Sequence, residues 1–218
     1  MMAKEMLDQA SAENAREIID IVFDLDAAQV PQNYPFELWS EIVQSLVWLK
    51  EEKNVGILPL RGSVSGENLL LSKRTKLILR IPADRAEQAA KLTGQKLKIG
   101  GNILLVGAGR ARPLHAATTL HSMQVETSLG EVEFLADMKK KLQELNVTCN
   151  LICDKYKQIS SGKQISSGKQ TVAGYGLVLH DLKPQASLLI QRTGLGGARQ
   201  YGCGIFVPFK AISGLEQD

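Results

Sequence analysis

Five glycines fall within eleven residues, at Gly194, Gly196, Gly197, Gly202 and Gly204, with Arg192 just before them and Arg199 among them. Backbone left so bare can aim several N–H donors at a phosphate while the arginines supply charge. The same composition also suits a tight turn between a short helix and a strand. A second basic group, Lys73, Arg74, Lys76 and Arg80, enters an alternating stretch, and the two-residue period of a strand puts Arg74, Lys76 and Arg80 on one face. Such a face suits a nucleic-acid backbone held by charge and shape. It equally suits a sheet edge defended by charge.

Other candidate motifs fail on spacing. Residues 102–112 resemble a strand feeding a dinucleotide-binding glycine loop, but Arg112 stands where the third glycine belongs and Pro113 where a helix should be running. That stretch reads as a strand end and linker. The run from Gly162 to Lys169 is one residue too long for a phosphate-binding P-loop, and Gln170 replaces the magnesium-binding hydroxyl. Cys149 and Cys153 make no CxxC pair, and His115, His121 and His180 lack ligand spacing, so neither a metal nor a cofactor is expected. Trp39 and Trp48 read as core.

The elements that must position these groups follow from hydrophobic periodicity. Residues 18–25 predict a strand, and Phe36, Trp39, Ile42, Val43, Leu46 and Leu49 recur at helical spacing. Pro35 suits the first helical position, which predicts Tyr34 as an extended N-cap. Strands over 56–64 and 75–81, a helix opened by Pro82 and stopped by Gly94, and a strand or bent hairpin over 96–106 complete one βαββαβ order. The order begins again with a strand over 119–127, a helix over 131–145 and strands over 147–153 and 172–180. A short helix over 187–192 and a closing strand over 204–209 finish it.

The fold class expected is therefore α+β, with tandem ferredoxin-like (RRM-like) βαββαβ modules. The first spans 18–110 after an N-terminal extension of 1–17, and the second spans 111–218, with residues 108–117 as the connection. Between strands of the second, the hexapeptide Lys157-Gln158-Ile159-Ser160-Ser161-Gly162 is repeated at once as residues 163–168. Six residues cannot form a solenoid repeat, so the duplication predicts a slack, lengthened hairpin loop, unless its lysines touch phosphate.

Composition sets the remaining bounds. With 218 residues, 44% hydrophobic and 22% charged, the chain is long enough to bury one large core or two small ones. No run approaches the ~18 apolar residues of a membrane span, and the charged first twenty residues rule out a secretory signal. Three cysteines suit a reducing cytoplasm. Net charge is only +3, yet residues 139–210 hold 11 basic and 3 acidic residues. That concentration resembles the footprint of a nucleic-acid site, and a solvated lysine-rich face is the competing view.

The stretch Gly194-Leu195-Gly196-Gly197, then Arg199, then Gly202-Cys203-Gly204-Ile205-Phe206-Val207-Pro208 resembles the C-terminal glycine-rich loop of the CRISPR-associated repeat-cleaving endoribonucleases of the RAMP superfamily. These enzymes process precursor guide RNA. The wording is most similar to their myxobacterial and cyanobacterial branch. Val22 to Leu25, Val30-Pro31, Trp48-Leu49, Gly56 to Leu60, Leu71 to Leu77, Arg112 to Leu114 and Gly174 to Gly176 agree in order, so the resemblance covers about residues 18–212.

The resemblance implies two ferredoxin-like modules and metal-independent RNA cleavage. In that reaction a ribose 2′-OH attacks the adjacent phosphate, giving a 2′,3′-cyclic phosphate and a 5′-OH. A base, an acid and a cation for the phosphorane would each help. Members usually carry a catalytic histidine just before or at the start of the first helix, where this sequence has Tyr34. A tyrosine, with an ordinary pKa near 10, suits a proton donor or orienting group better than a base. His180, closing a strand before the loop, is the alternative base; His115 and His121 rank below it. RNA contacts are expected from Lys73, Arg74, Lys76, Arg192, Gly194, Gly196, Gly197, Arg199 and Gly202. The partners implied are CRISPR repeat RNA, as precursor and mature guide, and other subunits of a guide-RNA effector complex, with no membrane. Without the histidine, the chain also fits a non-catalytic subunit that holds the repeat hairpin. A regulatory, small-molecule-binding ferredoxin-like protein fits the fold but not the basic charge.

Overall fold

The computed structural model describes residues 16–52, 54–161 and 170–209. In the first module, β1 (Ile18–Asp26) is central because its apolar residues Ile19, Ile21, Phe23 and Leu25 are all buried. It pairs antiparallel with β6 (Lys76–Pro82) on one side and β8 (Asn102–Pro113) on the other. Two short strands, β3 (Gly56–Ile57) and β7 (Lys96–Ile99), extend the edges to give the order β3-β6-β1-β8-β7. Helix α1 (Tyr34–Ser45) packs Leu38, Ile42 and Val43 onto this sheet. The second helical segment consists of α2 (Ala86–Ala89) between two 3-10 turns. Part of the strand expected over 56–64 instead joins a separate small sheet, in which β5 (Asn68–Leu71) lies between β2 (Gln29–Pro31) and β4 (Gly62–Ser65).

The second module repeats the plan. Its sheet has the order β10-β11-β9-β12, from β9 (Leu120–Glu126), β10 (Asn150–Ser160), β11 (Thr171–His180) and β12 (Val207–Pro208). Helices α3 (Glu131–Glu144) and α4 (Pro184–Thr193) cover one face through Phe134, Met138, Leu142 and Ile190. Each module thus places its first strand between its third and last, which is the ferredoxin-like arrangement expected twice over. The connection is shorter than expected because β8 runs on to Pro113. Most of the duplicated hexapeptide, residues 162–169, lies outside the described residues, as do 1–15 of the N-terminal extension. Among the described residues no helix is long and apolar enough to cross a membrane.

Two details differ from the sequence reading and bear on the site. Asn33, not Tyr34, is the N-cap, so Tyr34 is the first helical residue and Pro35 the second. Proline costs nothing at either position because neither amide has an intrahelical acceptor. Arg80 is not on a basic surface. It is 1% exposed, paired with the buried Asp20 of β1, and its Nη1 donates to the carbonyls of Gln191 and Phe206 in the second module. An inward-facing strand position opposite the other module accounts for this: the period-two pattern gives a shared face but not what covers it. A small apolar cluster of Phe36, Val172 and Cys203 closes the same interface.

Candidate functional site

The two modules meet where the start of α1 faces the glycine-rich segment. The ring of Phe36 lies 4.7 Å from that of Tyr201, in the 3-10 turn Arg199–Tyr201 that the segment forms. Beside this contact is a cleft of about 150 Å³ lined by Tyr34, Pro59, Gln124, Lys157, Tyr201 and Gly202, among others. Most of its wall is apolar. Among the described residues its charged group is Lys157, whose Nζ donates to the Met123 carbonyl at 3.3 Å. Gln124 Nε2 donates to the carbonyls of Lys157 and Val172, which ties β10 and β11 to the floor of the cleft.

Tyr34 is buried, and its hydroxyl oxygen accepts the Leu60 amide at 2.7 Å. Burial pushes its pKa up to about 12, outweighing the opposing effect of that amide. The phenol therefore keeps its proton across the physiological range and can act as a donor, not as a base. The same shift has a stability consequence. The unfolded tyrosine ionises near pH 10 and the folded one near 12, so stability falls as pH rises between those values. Tyr34→Phe should therefore show a shallower loss of stability above pH 10 in alkaline denaturation followed by circular dichroism.

The glycine-rich segment is half structural and half open. The amides of Gly194, Leu195, Gly202, Cys203 and Gly204 all donate to protein carbonyls. Those of Gly196, Gly197 and Ala198 have no partner among the described residues, and Gly196 and Gly197 are exposed. Gly194 and Gly202 are buried in the turn. Arg199 faces inward: it is 8% exposed and its Nη1 donates to the carbonyls of Arg192 and Thr193 at the end of α4. There the helix dipole favours a cation. Burial, then the nearby Arg80, lowers its pKa to about 10, so it remains charged near neutrality. Arg192 is exposed in the last turn of α4.

The remaining expected residues are spread out. Lys73 and Arg74 are exposed in the turn that leads into β6, and Lys76 pairs with Asp24 at 2.9 Å. Lys76, and secondarily Arg110, hold the Asp24 carboxyl below its ordinary value. His180 lies at the far end of β11 from Gly174, which pairs with Glu126 beside the glycine segment. Six residues of strand separate them, roughly 20 Å. His180 sits 3.3 Å from the Asp181 carboxylate and does not line the cleft. His121 packs against Phe209. Its pKa is lowered, mainly by burial. Sequence reasoning missed Lys157, Gln124 and Tyr201 as cleft residues. The local excess of lysine was the only available signal, and it cannot say which lysine turns inward.

Comparison with known proteins identifies the family and the fold. A family model described as Cas6, Cas6 Crispr, matches residues 19–211. The chain is 29% identical over 197 residues to the CRISPR-associated endonuclease Cas6 of Myxococcus xanthus (strain DK1622), covering 89% of this chain and 83% of that one. Among solved structures, a CRISPR-associated protein Cas6 aligns with a TM-score of 0.62 at 14% identity, over 89% of this chain and all of that one. A Cas6-related protein from Pyrococcus furiosus aligns with a TM-score of 0.61 at 15% identity, over 92% of this chain and all of that one.

Proposed function

Because this chain belongs to the Cas6 family, we propose that it is an endoribonuclease that binds CRISPR repeat RNA and cleaves it to guide RNA in the cytoplasm. The product would pass to other subunits of a guide-RNA complex. The observation that carries the reading is the meeting of the α1 start and the glycine-rich segment at one cleft, which gathers Tyr34, Lys157 and the Tyr201–Gly202 end of the loop around a single groove. In this reading the ribose 2′-OH gives up its proton to water and attacks the adjacent phosphate as the P–O5′ bond breaks, with no metal ion in the reaction. Tyr34, its oxygen oriented by the Leu60 amide, donates its proton toward the leaving 5′-oxygen. Lys157 places positive charge beside the phosphorane. Lys73, Arg74 and Arg192 hold the flanking strand by charge, the Gly196 and Gly197 amides contact a base, and Arg199, Gly194 and Gly202 keep the loop in shape.

A second reading, a repeat-binding subunit that does not cut, is favoured by one feature. None of the three histidines lines the cleft, and the phenol that does is a weaker acid than usual. Incubation with end-labelled repeat RNA in EDTA separates the two. A discrete cyclic-phosphate fragment supports cleavage; tight binding with intact RNA supports the clamp. If Tyr34 is the donor, Tyr34→Phe slows cleavage about 10²-fold or more with affinity nearly unchanged, and the wild-type pH–rate profile shows no titration of this group between pH 5 and 10. Unaltered cleavage by the variant moves the chemistry away from Tyr34.

A further inference from the structure

Sharing Tyr201 with the cleft is a second, polar hollow of about 320 Å³, lined also by Glu126, Gln170, Thr171, Ala198 and Gln200 among others. Among the described residues no lysine or arginine lines it, although it sits in the most basic part of the chain. The Glu126 carboxylate forms no ion pair or hydrogen bond with a described residue. It lies against the glycine segment, close enough that a Cβ on Gly197 would come within 2.6 Å of Oε2. A negative group there repels phosphate. A phosphate cradle is therefore the wrong chemistry for this end of the loop.

The hollow is equipped for a base edge. Glu126 offers two acceptor oxygens side by side. Tyr201 Oη lies 3.2 Å from Gln170 Oε1 and donates to it, which leaves the Gln170 amide hydrogens as donors. The Gly197 and Ala198 amides add two more donors without partners among the described residues. Guanine carries two adjacent donors, N1–H and N2–H, followed by the O6 acceptor along its Watson–Crick edge. Adenine and cytosine each present one donor group beside a ring acceptor, and uracil a single donor flanked by acceptors. Each of these three would set an acceptor against the carboxylate. We propose that this hollow selects an unpaired guanine of the bound RNA, with Glu126 accepting from N1–H and N2–H and the Gln170 and loop donors reaching O6. The assignment rests on the reading that the chain binds RNA.

Selection from a pool of randomised single-stranded RNA tests it with the full chain. The wild type enriches guanine at one position of the bound sequences, and Glu126→Ala loses that enrichment about tenfold or more at that position alone. Glu126→Gln, which pairs an acceptor with a donor, shifts the same position toward adenine. Glu126 is exposed, so neither change removes core packing. A variant that gains affinity for all sequences equally, with base preference unchanged, shows plain relief of charge repulsion and overturns the assignment while leaving RNA binding intact. Failure of the wild type to retain any RNA overturns both readings together.

Discussion

Replacing Arg80 with alanine lowers the free energy of unfolding by about 3–5 kcal/mol, the cost of leaving one partner of a buried ion pair uncompensated. Arg80 Nε and Nη2 meet the two Asp20 carboxylate oxygens at 2.8 and 3.2 Å, and its Nη1 meets the carbonyls of Gln191 and Phe206 at 3.0 and 2.7 Å. Without it, Asp20 keeps, among the described residues, the half-exposed Arg112 at 2.9 Å, and two carbonyls of the second module lose their shared donor. The guanidinium bonds reach across both modules, so a single side chain holds α4 and the approach to β12 against β6. Arg80→Lys recovers little, because one ammonium cannot serve both the forked carboxylate contact and the two carbonyls. Urea denaturation of both variants is the measurement. A loss below about 1 kcal/mol for Arg80→Ala would mean that water replaces these contacts, and that the module interface does not depend on them.

Gly194→Ala is expected to cost roughly 2–5 kcal/mol of stability before any effect on RNA. Gly194 follows α4 with φ +67° and ψ −174°, a region that residues with a side chain scarcely enter. An added Cβ would also strike the Gly204 carbonyl oxygen and the Arg199 guanidinium. Gly197→Ala is the informative partner. Its backbone is free of that constraint, and a new methyl meets only the end of the Glu126 side chain, so stability should change by under about 1 kcal/mol. The pair separates two roles within one loop. Thermal melts distinguish the variants by stability, and RNA affinity measured well below each midpoint distinguishes them by function. Should Gly194→Ala melt like the wild type and lose only RNA affinity, the buried half of the loop is a binding element instead of a structural one.

Much of the architecture was legible in the sequence because it rests on local periodicity. Alternation in residues 18–25 and 75–81, helical spacing from Phe36 to Leu46, and the return of the same order after residue 119 are short-range signals of burial, and both sheets formed from them. The glycine-rich segment was also legible as an irregular turn between a helix and a strand, since its composition excludes either. Boundaries moved where helix-start geometry decided them, as when the N-cap fell on Asn33.

Which way the charged groups face was settled only by the tertiary structure. Arg80, Arg199, Lys73 and Arg74 are all basic, yet the first two are buried against carbonyls or carboxylate and the last two stand in solvent. A strand's period fixes which residues share a face, while the packing of one module on the other decides whether that face meets water. The same holds for Tyr34, Lys157 and His180. Only the docking of the modules brings Tyr34 and Lys157, far apart in the chain, to one cleft, and only the length of β11 carries His180 away from it.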